Sequence, residues 1–130
     1  MDASTPFEPK ATAKTLLREA RSGALATLTT GAGDPYCSLV NVATAADGAP
    51  LLLISQLAVH TKNILADPRV SLMLDERKAG DPLQSARITL LGQAHRTDNE
   101  SARRRYLARQ PGAEAFAGFG DFVVEGEQCP

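Results

Sequence analysis

Apolar and polar residues alternate in short runs along most of this 130-residue chain, which is the pattern of β-strands. Turn sequences at 31–35 and 47–48 separate the first three runs, so these runs are predicted to form an antiparallel meander. The predicted strands are 24–30, 36–43, 51–54, 69–74, 86–96 and 122–125. The pattern therefore favours a mainly β fold.

Two segments follow helical spacing instead. Apolar residues at i, i+3, i+4 and i+7 predict a helix that begins at Pro9 and that Gly23 ends in a left-handed conformation. Its apolar positions are Ala13, Leu16, Leu17 and Ala20. A second helix is predicted to run to about Arg109, with Thr97 as its cap and Glu100 reaching back in a capping box. Short strands with few helices indicate a small β-barrel, α+β in class, with peripheral helices.

The ends of the chain carry weaker patterns. Residues 1–8 are predicted to be a loose arm, 113–117 a short helical piece, and 126–130 a tail after the last strand. The length and an apolar share of 43% favour one domain over residues 1–130.

Charge and hydropathy exclude several classes of function. A net charge of −1 gives no general attraction to nucleic acid or to an anionic membrane surface, so neither is expected as a partner. The amino terminus does not resemble a signal peptide, and no apolar run reaches the roughly 20 residues that span a bilayer. A cytoplasmic protein is expected.

Common catalytic and metal-binding motifs are absent from the sequence. There is no GxSxG, HExxH or CxxC, so no metal site is predicted. Cys37 is predicted to be a buried reduced thiol, and no role is assigned to Cys129. The basic run 103–105 is interpreted as a solvated helix face.

A polar segment between two apolar strands, within residues 51–74, is the strongest candidate site. Asp67-Pro68 is predicted to stop any helix in this segment, because the ring of Pro68 disfavours the α region at Asp67 and lacks an N–H. Hydroxyl and amide donors beside a helix start, with one ammonium group, could hold an anion; the alternative is a solvated helix face. These residues are Ser55, Thr61, Lys62 and Asn63, with His60 as a possible further donor. Arg87 begins a strand after a loop, and either an ion pair with a loop acid or a ligand-facing guanidinium would explain it.

Several of these stretches resemble the FMN-binding split-barrel family, which is related to pyridoxamine 5′-phosphate oxidase. They are GALATL (23–28), YCSLVNVA (36–43), the whole of 51–74 and RITLLGQ (87–93). Residues 105–124 also resemble a stretch of the haem-utilisation branch. The resemblance implies a homodimer of six-stranded antiparallel split barrels with FMN at the subunit interface, acting as an FMN-dependent oxidoreductase on a small-molecule substrate.

The same resemblance assigns the cofactor-binding residues. Ser38 and Val40 would lie along the flavin and ribityl chain, and Arg87 would reach the ring from the partner subunit. The phosphate end would be held by Ser55, Thr61, Lys62 and Asn63, with His60 close by. No catalytic residue is assigned, because the flavin itself performs the transfer.

Two departures keep other functions open. Val59-His60 replaces the Arg-Lys pair of pyridoxamine phosphate oxidases, so activity on vitamin B6 phosphates is not expected. The chain stops at Pro130, where haem-utilisation relatives continue, which makes haem degradation a weaker expectation. The alternatives are a flavin or haem carrier or sensor without turnover, a haem-utilisation protein, and an interaction module that uses no cofactor.

Overall fold

A computed structural model describes residues 9–76, 79–112 and 119–129. Its helices are α1 Pro9–Glu19, α2 Val59–Ala66 and α3 Glu100–Arg109. Its strands are β1 Ser22–Leu28, β2 Pro35–Asn41, β3 Ala43–Thr44, β4 Pro50–Ser55, β5 Arg69–Asp75, β6 Arg87–Arg96 and β7 Phe119–Cys129. A short 3₁₀ turn, Pro82–Gln84, precedes β6. The predicted arm 1–8 and helical piece 113–117 lie outside the described residues.

The seven strands form one antiparallel sheet in the order β2-β1-β5-β6-β7-β4-β3. The two edge strands, β2 and β3, follow each other in the chain with only the buried Val42 between them. The sheet must therefore curl until its edges meet, as in a split barrel. The predicted mainly β class and peripheral helices are confirmed, with seven strands in place of the predicted six because the run 36–43 forms two strands.

The predicted meander is confirmed in its antiparallel neighbours, but it does not consist of three continuous strands. The run predicted as one strand, 36–43, is divided at Val42, and only its short second part pairs with β4. The other neighbour of β4 is β7. Local turn signals could not reveal this, because the curl of the sheet brings the end of the chain between β6 and β4.

The interior of the barrel is lined by alternate residues of the strands, and α1 covers part of it. Leu25, Leu52, Leu72 and Phe122 are fully buried there. Ala13 and Leu16 of α1, and Ala20 just after it, are buried against the same core, with Leu17 partly buried, so the predicted helix face is confirmed. This core fixes the strand ends that carry the candidate site.

Gly23 does not end α1. The helix stops at Glu19, and Gly23 lies within β1 opposite Val40. A Cβ at Gly23 would lie 2.8 Å from the Met73 carbonyl oxygen and 2.7 Å from a Leu74 methyl carbon. Glycine is therefore required here by the close approach of β5.

Two further predicted boundaries differ in the structure. The cap of α3 is Asn99, whose Oδ1 accepts from the N–H groups of Ser101 and Ala102, so the predicted capping box on Thr97 is wrong. Asparagine is at least as favourable an N-cap residue as threonine, and α3 begins directly after Asn99. The last strand runs to Cys129 rather than 125, because the length of β6 offers backbone partners that polar residues can use.

Candidate functional site

The polar segment after β4 folds as a tight turn followed by α2. Ala58 precedes the helix in an extended conformation, and its side chain makes no capping bond. The N–H groups in the first turn of a helix have no intrahelical acceptors, so this end of α2 presents backbone donors. Asp67 returns to an extended conformation before Pro68, which confirms the predicted stop.

His60 is held against β2 by one hydrogen bond. Its Nδ1 lies 3.1 Å from the Ser38 hydroxyl oxygen, and which of the two donates depends on the tautomer. Nε2 is closed to solvent and has no hydrogen-bond partner among the described residues. Burial lowers the pKa of His60, because it disfavours the charged imidazolium. The structure thus brings together two predicted site residues around a neutral imidazole.

Asn63 and Thr61 face the interior of the chain. Asn63 is 2% exposed; its amide nitrogen donates to the Thr27 hydroxyl at 3.0 Å, and its Oδ1 accepts from the Thr30 backbone N–H at 3.3 Å. Thr61 is fully buried and donates its hydroxyl to the Ser55 carbonyl at 2.5 Å. These bonds fasten α2 to β1 and β4, so both side chains position the site. A direct contact of either with a ligand stays a prediction.

Lys62 and Ser55 are better placed for contact with a ligand. Lys62 is exposed on α2. Ser55 is partly buried, and its Oγ accepts from the Leu57 N–H at 3.2 Å, which leaves its hydroxyl hydrogen for another acceptor. Around them the surface is apolar: Leu57 is 82% exposed and Val59 is 49% exposed.

The two remaining predicted site residues lie elsewhere. Val40 is buried in the barrel core, so its side chain does not line an open groove. Arg87 is exposed at the start of β6, and its guanidinium donates to the carbonyls of Leu83 and Ser85 at 3.4 Å each. It pairs in register with Asp75, at the end of β5 away from α2. Within one chain, Arg87 is not brought together with His60 and Lys62.

The outer face of the sheet carries exposed apolar side chains. Leu39 of β2 is 70% exposed, and Met73 of β5 lies two strands away in the same row, with Ala24 of β1 between them. Leu91 of β6 is exposed in the next row. Cys37 is exposed on this face as well, so the predicted burial of its thiol is wrong. Among the described strands, β2 is an edge strand that pairs only with β1, so its other side is not covered by a neighbouring strand.

Sequence reasoning missed the role of the basic run on α3. Arg103 Nε lies 2.7 Å from Asp121 Oδ2 of β7, and Arg105 donates to the Thr44 carbonyl at 2.8 Å. Arg104 and Arg105 are exposed, as the predicted solvated face requires, whereas Arg103 is half-buried. These partners are distant in the sequence, so spacing gave no signal for them.

Within the described ranges, no group of three or more His, Cys, Asp or Glu residues could hold a metal ion. The same part of the chain contains no helix that is long and apolar enough to cross a bilayer.

Comparison with known proteins agrees with the fold. The family model for pyridoxamine 5′-phosphate oxidase matches residues 9–126. The non-canonical heme oxygenase HOZ, chloroplastic, of Arabidopsis thaliana is 44% identical over 95 residues, which are 69% of this chain and 28% of that protein. Most of the plant relative therefore has no counterpart here.

Solved structures give the same result. A heme-binding protein from Mycobacterium smegmatis is 34% identical with a TM-score of 0.84, over 95% of this chain and 53% of that one. Atu2129 from Agrobacterium tumefaciens, described as of unknown function, is 32% identical with a TM-score of 0.85, over 98% and 57%. HutZ, the heme storage protein from Vibrio cholerae, shares the fold at 21% identity, with a TM-score of 0.70 over 95% and 93%. The chain belongs to the pyridoxamine 5′-phosphate oxidase family.

Proposed function

We propose that this chain binds haem where the first turn of α2 meets β2. The observation that carries the proposal is the chemistry of that turn: exposed Leu57 and Val59 flank a neutral, partly buried His60. Such a surface suits one face of a large planar ring. The names of the Arabidopsis and Mycobacterium smegmatis relatives support the same cofactor.

The residues present fit haem in three respects. A neutral imidazole is the form that binds iron, and the Ser38 hydroxyl on Nδ1 fixes the ring as an outer-shell partner does. Nε2 has no other acceptor or donor in the described chain, but it is closed to solvent. Coordination with the Ser38 hydrogen bond kept would therefore require the atoms that cover Nε2 to move. The ammonium of Lys62 and the N–H groups of α2 could receive a propionate.

FMN is the second candidate, and a specific observation favours it. The amino-terminal end of α2 has no side-chain cap, and such an end favours a phosphate. Lys62 would supply the charge and Ser55 a hydroxyl donor. Because Thr61 and Asn63 are already bonded within the chain, this cradle offers fewer side-chain donors than the sequence predicted.

With FMN bound, the chain would act as an FMN-dependent oxidoreductase on a small molecule, since the flavin supplies hydride or electron transfer. Lys62→Ala is then expected to weaken FMN binding by about 1.5–3 kcal/mol, as for a charge-assisted hydrogen bond. An unchanged dissociation constant for FMN would remove Lys62 from the cradle.

We also infer that the protein is a homodimer that pairs through the apolar outer face of the sheet. Leu39, Met73 and Leu91 would be covered there, and a contiguous exposed apolar surface is typical of an interaction site. A partner subunit could bring its Arg87 to the cofactor, which would explain why this residue lies apart from the site of its own chain.

The chromophore that copurifies with the protein tests the haem and FMN proposals together. The protein is purified from cells supplied with haem precursors and riboflavin, and its absorbance is recorded after gel filtration. A Soret band supports haem; a flavin spectrum released by acid supports FMN. Loss of the Soret band upon addition of a reductant in air would support haem degradation over storage. A colourless protein that takes up neither haemin nor FMN would contradict both candidates.

A further inference from the structure

A small positively charged cavity lies at the carboxyl end of α3, separate from the site described above. It measures about 200 Å³, and its polar lining comes from Arg21, Asn41, Tyr106, Arg109 and Gln110. Two arginines are among its lining residues, and none of the described residues that line it is acidic. We call it the arginine niche.

The walls of the arginine niche are fixed by bonds between distant segments. Gln110 donates its amide to the carbonyls of Arg21 at 2.9 Å and Val42 at 3.2 Å. Arg109 Nη2 donates to the Glu19 carbonyl at 2.5 Å. The end of α3 is therefore held against both the α1–β1 link and the β2–β3 link, so the niche is already formed without a ligand.

At least one hydrogen-bond donor of the arginine niche has no acceptor in the described part of the chain. Nε of Arg109 is buried and has no hydrogen-bond partner among the described residues. Arg21 is exposed, and Asn41 at the end of β2 places an amide on the same cavity. Arg109 also stands at the carboxyl end of α3, where its charge offsets the helix dipole. Among the described lining residues, none carries a negative charge opposite Arg21.

We propose that the arginine niche binds a small oxyanion, either a phosphate-sized ion or a carboxylate. Guanidinium groups bind both through paired N–H donors, and an acceptor seated there could reach the unpartnered Nε after a small adjustment. The cavity is too small for haem or FMN, so this site is independent of the proposed cofactor.

The test is isothermal titration of the purified protein with inorganic phosphate and, separately, with acetate, at constant ionic strength in chloride. We expect saturable binding of phosphate, acetate or both. Each anion has two oxygens that can accept paired hydrogen bonds from one guanidinium group, whereas chloride is a single atom. Arg21→Gln is expected to raise the dissociation constant about tenfold or more. Arg18→Gln removes an exposed arginine of α1 that does not line the niche, and it should leave binding unchanged.

A second variant guards against a change in folding. Arg109→Lys keeps the positive charge but removes the fork, and it should weaken binding while the circular dichroism spectrum stays that of the folded wild type. The proposal is overturned if neither anion binds, or if Arg18→Gln and Arg21→Gln weaken binding equally. It is also overturned if Lys62→Ala, rather than Arg21→Gln, abolishes binding, since the anion would then lie at α2.

Discussion

The Ser38 hydroxyl and His60 Nδ1 lie 3.1 Å apart, and this contact ties α2 to the edge strand β2. Other bonds of α2 run from Thr61 to β4 and from Asn63 to β1. Three strands therefore hold one short helix in place. His60, Thr61 and Asn63 therefore anchor the helix on which the candidate site depends. From the sequence, these three side chains are predicted to bind a ligand.

The stability of the protein is expected to fall on mild acidification because of His60. Burial places its pKa in the fold below the ordinary value of 6.5, so between the two values the unfolded chain binds more protons than the folded chain. The contribution is fully present above 6.5 and is lost as the pH falls toward the lower value. Urea unfolding at about pH 7.5 and pH 5.5 checks this: wild type should lose more stability than His60→Gln. Equal losses would contradict it.

Asn63→Ala is expected to lower the free energy of unfolding by about 1–3 kcal/mol, because the Thr27 hydroxyl and the Thr30 N–H lose a buried partner. The matched control is Lys62→Ala, a neighbouring but exposed position on the same helix. Its unfolding free energy should stay within about 0.5 kcal/mol of the wild type. Equal effects of the two changes, measured by urea denaturation, would show that Asn63 does not anchor α2.

Gly92 and Gly126 face each other in register between β6 and β7, and a side chain fits at neither. A Cβ at Gly92 would lie 2.0 Å from the Glu125 carbonyl oxygen, which is backbone and cannot turn away. Gly92→Ala should therefore destabilise the fold by about 3 kcal/mol or more. Gly112→Ala is the control, because a Cβ there meets nothing within 4 Å. Similar melting temperatures for the two variants would contradict the close approach of the strands.

Leu39→Glu is expected to weaken the proposed dimer at least tenfold, since it places a charge on the apolar outer face of the sheet. Light scattering coupled to gel filtration across a dilution series measures the change. Leu83→Glu alters another exposed leucine, on the 3₁₀ turn, and should leave the mass unchanged. A wild-type protein that is monomeric at all concentrations would refute the dimer.

Structural features that depend on the local spacing of apolar residues were predicted correctly from the sequence. The burial of Ala13 and Leu16, the strand before α2 and the stop at Asp67-Pro68 follow from spacing and from proline chemistry, and the structure has all of them. The division of β2 from β3 at Val42 was not predictable, because it depends on how the whole sheet curls. Gly23 was mistaken for a helix end, since its strand role arises from the approach of β5.

The sequence predicted a helix start in the segment of the candidate site, but not which of its side chains are buried. Lys62 and Asn63 are adjacent polar residues on one helix, yet one is exposed and the other buried against Thr27. Spacing alone cannot tell which face of so short a helix turns inward. The contact between Ser38 and His60 joins two residues that the resemblance named separately, and only the fold shows that they meet.

A haemin titration of the purified protein and of His60→Ala tests the proposed site most directly, with His95→Ala as the control on an exposed β6 histidine. We predict a saturable Soret band for wild type and His95→Ala, and a shifted band with affinity reduced about tenfold or more for His60→Ala. A haemin spectrum and affinity unaffected by loss of His60, in a variant whose circular dichroism matches the wild type, would contradict the assignment of haem to this end of α2.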